Sequence, residues 1–135
     1  MVDRQKRAEA AKLIDDYFSG RTTNFEYDDH FPSSDSDPAL HAIHTMLWFN
    51  YSDVCEKRFD ARKINAEGWD FLDQVQLFLR SDYEYIGPRN LVDPFAIPKR
   101  FWYWITRRPR PSLPDCWPFE TELQLQNARM TRNSQ

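Results

Sequence analysis

Glycine is scarce in this chain, with three in 135 residues, so no glycine-rich loop of the kind that cradles nucleotide phosphates can be drawn from it. Cysteine is scarcer still. Cys55 and Cys116 are too few for a disulfide framework and fall in neither a CxxC nor a metal-ligand spacing, which points to a reduced, cytoplasmic setting. No apolar run approaches the ~20 residues that a membrane span requires. The charged opening Met1-Val2-Asp3-Arg4-Gln5-Lys6-Arg7 leads into no apolar signal core, so neither a membrane partner nor secretion by that route is expected.

Charge of one sign is missing from two stretches. Between Thr22 and Cys55 there is no Lys or Arg, while Glu26, Asp28, Asp29, Asp35, Asp37 and Asp53 are all present. From Phe95 to Pro114 there is no acid, while Lys99, Arg100, Arg107, Arg108 and Arg110 are. The formal charge of −3 gives bulk electrostatics no reason to attract nucleic acid. The two blocks are either solvated faces that partly neutralise each other or, for the acidic one, a surface that attracts a basic partner.

What the chain has in quantity is aromatic side chains, 16% of all residues, with a hydrophobic content of 41%. That suffices for one core, so residues 1–135 are expected to form a single helical domain. Ala10, Leu13, Ile14, Tyr17 and Phe18 recur at helical spacing with Arg and Lys on the other side, and Gly20 suits the helix end. Arg21 to Ser36 reads as a loop anchored by Phe25, Tyr27 and Phe31. Asp37-Pro38 then opens a second helix, with Leu40, Ile43, Leu47 and Tyr51 on one stripe. Asn65 caps a third, Ala66 to about Arg80, in which Trp69, Leu72, Val75, Gln76 and Leu79 follow the period. Prolines 88, 94 and 98 prevent any long element after it. The run from Pro98 to Arg107 fits a short helix or a short strand, and Pro118 suits the first position of a last helix carrying Phe119, Leu123, Gln126 and Met130. The expected fold class is all-α: a small helical bundle with a proline- and aromatic-rich C-terminal wrap.

Three constellations bear on function. His30, His41 and His44 all lie in the acidic block, and the i, i+3 pair His41 and His44 shares a helix face, so the three histidines are candidate metal ligands of a small hydrolase. Asp82 and Glu84 are the alternative acid/base pair for such an enzyme, although pairing with Arg80, Arg89 or the Arg107-Arg108 cluster is the commoner role. No catalytic residue, metal site or cofactor is assigned from these patterns. Arginines interleaved with Trp102, Tyr103 and Trp104 also suit single-stranded nucleic acid, a reading the net negative charge disfavours. Cys116 reads as a packed small apolar group.

Two segments carry a resemblance. Leu13-Ile14-Asp15-Asp16-Tyr17-Phe18-Ser19-Gly20, followed by Phe25, Glu26 and Tyr27-Asp28-Asp29, resembles the start of small bacterial immunity proteins, where a helix ends at a Phe-x-Ser-Gly-type turn before an acidic segment. Phe78-Leu79-Arg80-Ser81-Asp82-Tyr83-Glu84-Tyr85 with the later Trp117-Pro118-Phe119 resembles a group of short bacterial proteins bearing an FLxSDxEY…WPF pattern. The chain departs from that pattern at Ile86-Gly87-Pro88, where a Trp-Pro is more typical, and in its Phe101 to Trp104 run. The resemblance implies a protein that binds rather than catalyses and that blocks a toxin. Glu26, Asp28, Asp29, Asp35 and Asp37 would then steer toward a basic partner, and aromatic anchors, Trp102 and Trp104 among them, would supply affinity.

Overall fold

A computed structural model of the chain describes residues 1–47, 55–87 and 115–135. The apolar periods of the sequence become helices: α1 (Arg4–Phe18), α2 (Asn24–His30), α3 (Pro38–Leu47), α4 (Ala66–Leu79) and α5 (Glu122–Asn133), with a 3-10 turn at Ala61–Lys63. The fold is mainly α. Among the described residues the one extended pairing is an isolated antiparallel bridge between Thr23 and Arg58.

Helix α1 starts where the Asp3 carboxylate accepts from the Lys6 amide at 3.0 Å, satisfying one of the free donors of the first turn. It ends in a Schellman turn. Gly20 takes a φ of +79°, its amide donates to Tyr17 O and that of Arg21 to Asp16 O, a geometry that a Cβ would strain. Ala10, Ala11, Ile14, Tyr17 and Phe18 face inward, as their spacing requires.

The same inward face carries Arg7, against the expectation that the basic residues of α1 lie on its polar side. Its side chain is fully buried because its donors are matched. Nε and Nη2 donate to the two Asp37 carboxylate oxygens at 2.6 and 3.1 Å, and Nη1 reaches the carbonyls of Phe78, Ser81 and Tyr83. The guanidinium carbon stands 4.7 Å from the centre of the Phe78 ring, a cation–π contact.

Asp37 has a second role at the start of α3. Its carboxylate accepts from Ala39 N at 3.3 Å and from Asp3 N at 3.0 Å, while Pro38 occupies the first helical position, where a missing amide costs nothing. Ala39, Leu40, Ala42, Ile43 and Leu47 are buried. Tyr51, expected on the same stripe, lies outside the described residues.

Helix α4 is capped by Asn65, whose Oδ1 accepts from Gly68 N at 2.9 Å. Leu72, Val75, Leu77, Phe78 and Leu79 are buried. Trp69, expected to lead this stripe, is 41% exposed at its upstream edge. Helices α1 and α4 pack together, with α2 and α3 against α1 and α5 against α4.

The last helix begins later than Pro118. Thr121 is its cap, accepting from Gln124 N, and Pro118 sits in the preceding turn behind a cis peptide bond. That turn is pinned to α4. Gln74 Nε2 donates to Asp115 O at 2.8 Å and Trp117 O at 2.6 Å, Phe71 stacks on Trp117, and Phe119 meets Phe78 edge to face. Trp117 Nε1 donates to Tyr85 Oη at 3.1 Å. Cys116, Trp117 and Phe119 are therefore core, while Leu123 and Met130, expected on this last helix, are exposed. The part of the proposed wrap at 88–114, including Pro98 to Arg107, lies outside the described residues.

Candidate functional site

The stretch expected to be a loop, Arg21 to Ser36, contains α2. Thr23 provides the cap: its hydroxyl accepts from Glu26 N at 3.2 Å and donates to Glu56 Oε1 at 2.7 Å. Its inward side, Asn24 and Tyr27, is buried, so Glu26, Asp29 and His30 point to water.

Two anchors hold this short helix. Asn24 exchanges backbone bonds through its side chain with the chain at 55–57, its Oδ1 accepting from Lys57 N at 2.8 Å and its Nδ2 donating to Cys55 O at 3.1 Å. Tyr27 stacks on Tyr17 with ring centres 4.8 Å apart and meets Phe31 edge to face. Its phenol has no hydrogen-bond partner, and burial, reinforced by Tyr17 and Asp28, pushes its pKa well above the ordinary range.

The five acidic site candidates separate by environment. Glu26, Asp29 and Asp35 are exposed and, among the described residues, form no ion pair. Asp28 is partly covered and bonds to His44 Nε2 at 2.9 Å, with the Phe31 ring stacked on the imidazole at 4.5 Å. Asp37 is buried in its pair with Arg7 and cannot steer a partner. Elsewhere acids have basic neighbours. Asp15 and Asp16 hold Arg21, Asp60 holds Arg62, and Asp73 holds Arg132.

The histidines do different things. His30 Nδ1 donates to Glu26 O at 2.8 Å, His41 is exposed, and His44 is engaged by Asp28. Among the described residues no three of His, Cys, Asp and Glu come together to hold a metal ion. Among the described residues Asp82 Oδ2 lies 2.7 Å from Arg4, and Glu84 lies 3.8 Å from the Met1 amine, while Arg80, the one expected partner that is described, forms no ion pair with either. Glu84 shares a small cleft of about 120 Å³ with Asp35, Asp37, Tyr85 and Met1, whose amine stands beside Glu84. A larger groove of about 470 Å³ lies between α4 and α5, lined by Leu77, Arg80, Tyr83, Ala128, Thr131 and Arg132 among others, with no histidine or cysteine. Trp102, Trp104, Arg89, Arg107 and Arg108 lie outside the described residues.

No protein-family model matches the chain, and no curated protein or solved structure is significantly similar to it.

Proposed function

We propose that the chain works by binding another protein through the acidic surface of α2 and the segment that follows, and that in its most specific form it neutralises a basic bacterial toxin domain in the cytoplasm. One observation carries this reading: Glu26, Asp29 and Asp35 are exposed and, among the described residues, form no ion pair, in a stretch of sequence that supplies no Lys or Arg. Exposed carboxylates raise the encounter rate with a basic partner and repel acidic ones. Asp28 contributes less, because its carboxylate is engaged by His44. Glu84, at the cleft beside Asp35, also contributes less, because the Met1 amine stands beside it.

A metal-dependent hydrolase would need His30, His41 and His44 to converge, and the described residues supply no such cluster. The nucleic-acid reading rests on the segment around Trp102 and Trp104 alone.

The test uses the triple variant Glu26→Lys, Asp29→Lys, Asp35→Lys. All three side chains are exposed, so the fold should persist. Co-expression with a basic toxin encoded beside this chain should rescue growth for the parent and fail for the variant, with the association rate falling at least ~10-fold and losing its salt dependence. Equal rescue and an unchanged association rate would remove the acidic-surface reading.

A further inference from the structure

Among the described residues, helix α5 meets the rest of the protein along one side only. Leu125 is its one buried residue, Ala128 is partly covered, and Arg132 reaches Asp73 on α4. At 3.6 residues per turn, Leu123 and Met130, seven apart, fall on one line along the opposite side. They are 65% and 60% exposed. Glu122 and Arg129, also seven apart, run along one flank of that line, both exposed and, among the described residues, neither in an ion pair. Gln126 lies between the two pairs.

This pattern complements itself in only one direction. Consider two α5 helices laid antiparallel, with a two-fold axis passing between Gln126 and Asn127. A residue before the axis then faces the residue equally far beyond it in the second copy, so Leu123 meets Met130 twice. The axis stands perpendicular to the plane of the two helices and keeps each flank on its own side, which brings Glu122 beside Arg129 of the second copy, again twice. A parallel two-fold pair would instead carry the Glu122 and Arg129 flanks to opposite sides, so that neither charge meets its complement.

We infer that the outer face of α5 is a self-association surface whose occupant is a second copy of this chain, in an antiparallel, isologous contact. Its charge complementarity selects the direction and its two apolar pairs supply the attraction. A pair of helices this short buries less than the roughly 1,200 Å² of a stable dimer, so association is weak, with a dissociation constant on the order of 100 µM.

Sedimentation equilibrium on the full chain, in a Cys55→Ser background, tests this. The parent should dimerise with concentration, and Leu123→Ser with Met130→Ser should be monomeric throughout. Glu122→Lys and Arg129→Glu should each weaken the dimer about fivefold, and the two together should restore it, a rescue that neither misfolding nor a different face would produce. Register is read by cross-linking: Gln126→Cys lies beside the axis and should oxidise to a covalent dimer, whereas Asn133→Cys, near the end of the helix, should not. A parent monomeric up to about 1 mM, a double charge swap without rescue, or equal cross-linking at both positions would each overturn the inference.

Discussion

Arg7 and Asp37 face each other across two hydrogen bonds of 2.6 and 3.1 Å, with side chains only 1% and 2% exposed, and so join α1 to the start of α3. Neither group has water to fall back on. Substituting Arg7→Met leaves a buried carboxylate and the carbonyls of Phe78, Ser81 and Tyr83 without this donor, a loss expected to cost about 3–5 kcal/mol. Arg7→Lys should recover only part of it, because an ammonium cannot serve both carboxylate oxygens and the carbonyls beyond them. Urea unfolding of the three proteins checks this, and a methionine variant as stable as the parent would show the pair to be dispensable.

Acid should act through the same pair. Burial alone would raise the Asp37 pKa, but the Arg7 hydrogen bond, the Asp3 and Ala39 amides and the Arg7 charge outweigh it and hold the carboxyl below the usual carboxylate range. A depressed folded-state pKa means the unfolded chain takes up the proton first. The contribution is therefore complete above the unfolded value of about 3.9 and is lost as pH falls through the lower folded value. Stability measured from pH 7 downward should drop below about pH 4 in the parent, and the drop should be smaller in Asp37→Asn, which starts from a lower plateau. Parallel acid profiles for the two proteins would contradict this.

The turn before α5 should depend on Gln74. Gln74→Leu keeps the apolar volume but removes the donor to the Asp115 and Trp117 carbonyls, and an unmet buried carbonyl costs about 1–3 kcal/mol. The expected outcome is a loss of about 2 kcal/mol, accompanied by faster proteolysis between Asp115 and Phe119. Cleavage at the parent rate would mean that Phe71 and Phe78 hold the turn without the amide.

Much of the helical layout was legible because it is written locally. Ala10, Ile14 and Tyr17 repeat within one element, as do Leu40, Ile43 and Leu47, and Asp37-Pro38 and Asn65 are caps that act within three residues. Helix α2 was missed since two turns give little periodicity, yet Thr23-Asn24-Phe25-Glu26 is a Ser/Thr-x-x-Glu capping pattern that marks its start. Thr121-Glu122-Leu123-Gln124 marks the start of α5 in the same way, and Pro118 drew attention four residues too early.

The candidate site was half legible. Composition located the acidic stretch, but the fate of each carboxylate depends on residues far along the chain. Asp37 is buried by Arg7, 30 positions away, and Asp28 is occupied by His44, 16 positions away. An arginine in an amphipathic pattern reads as surface, because nothing local reveals that an acid and three carbonyls will gather around it. Leu123 and Met130 were legible as members of the last helix, but only the tertiary packing of α5 decides that they lie outside.

Arg7 ties distant parts of the chain to one side chain. Its partners Asp37, Phe78, Ser81 and Tyr83 lie 30, 71, 74 and 76 positions further along the sequence. The buried guanidinium is therefore fully met by protein only when α1, the start of α3 and the end of α4 are in place together, so a local loosening at any one of the three is felt by the other two.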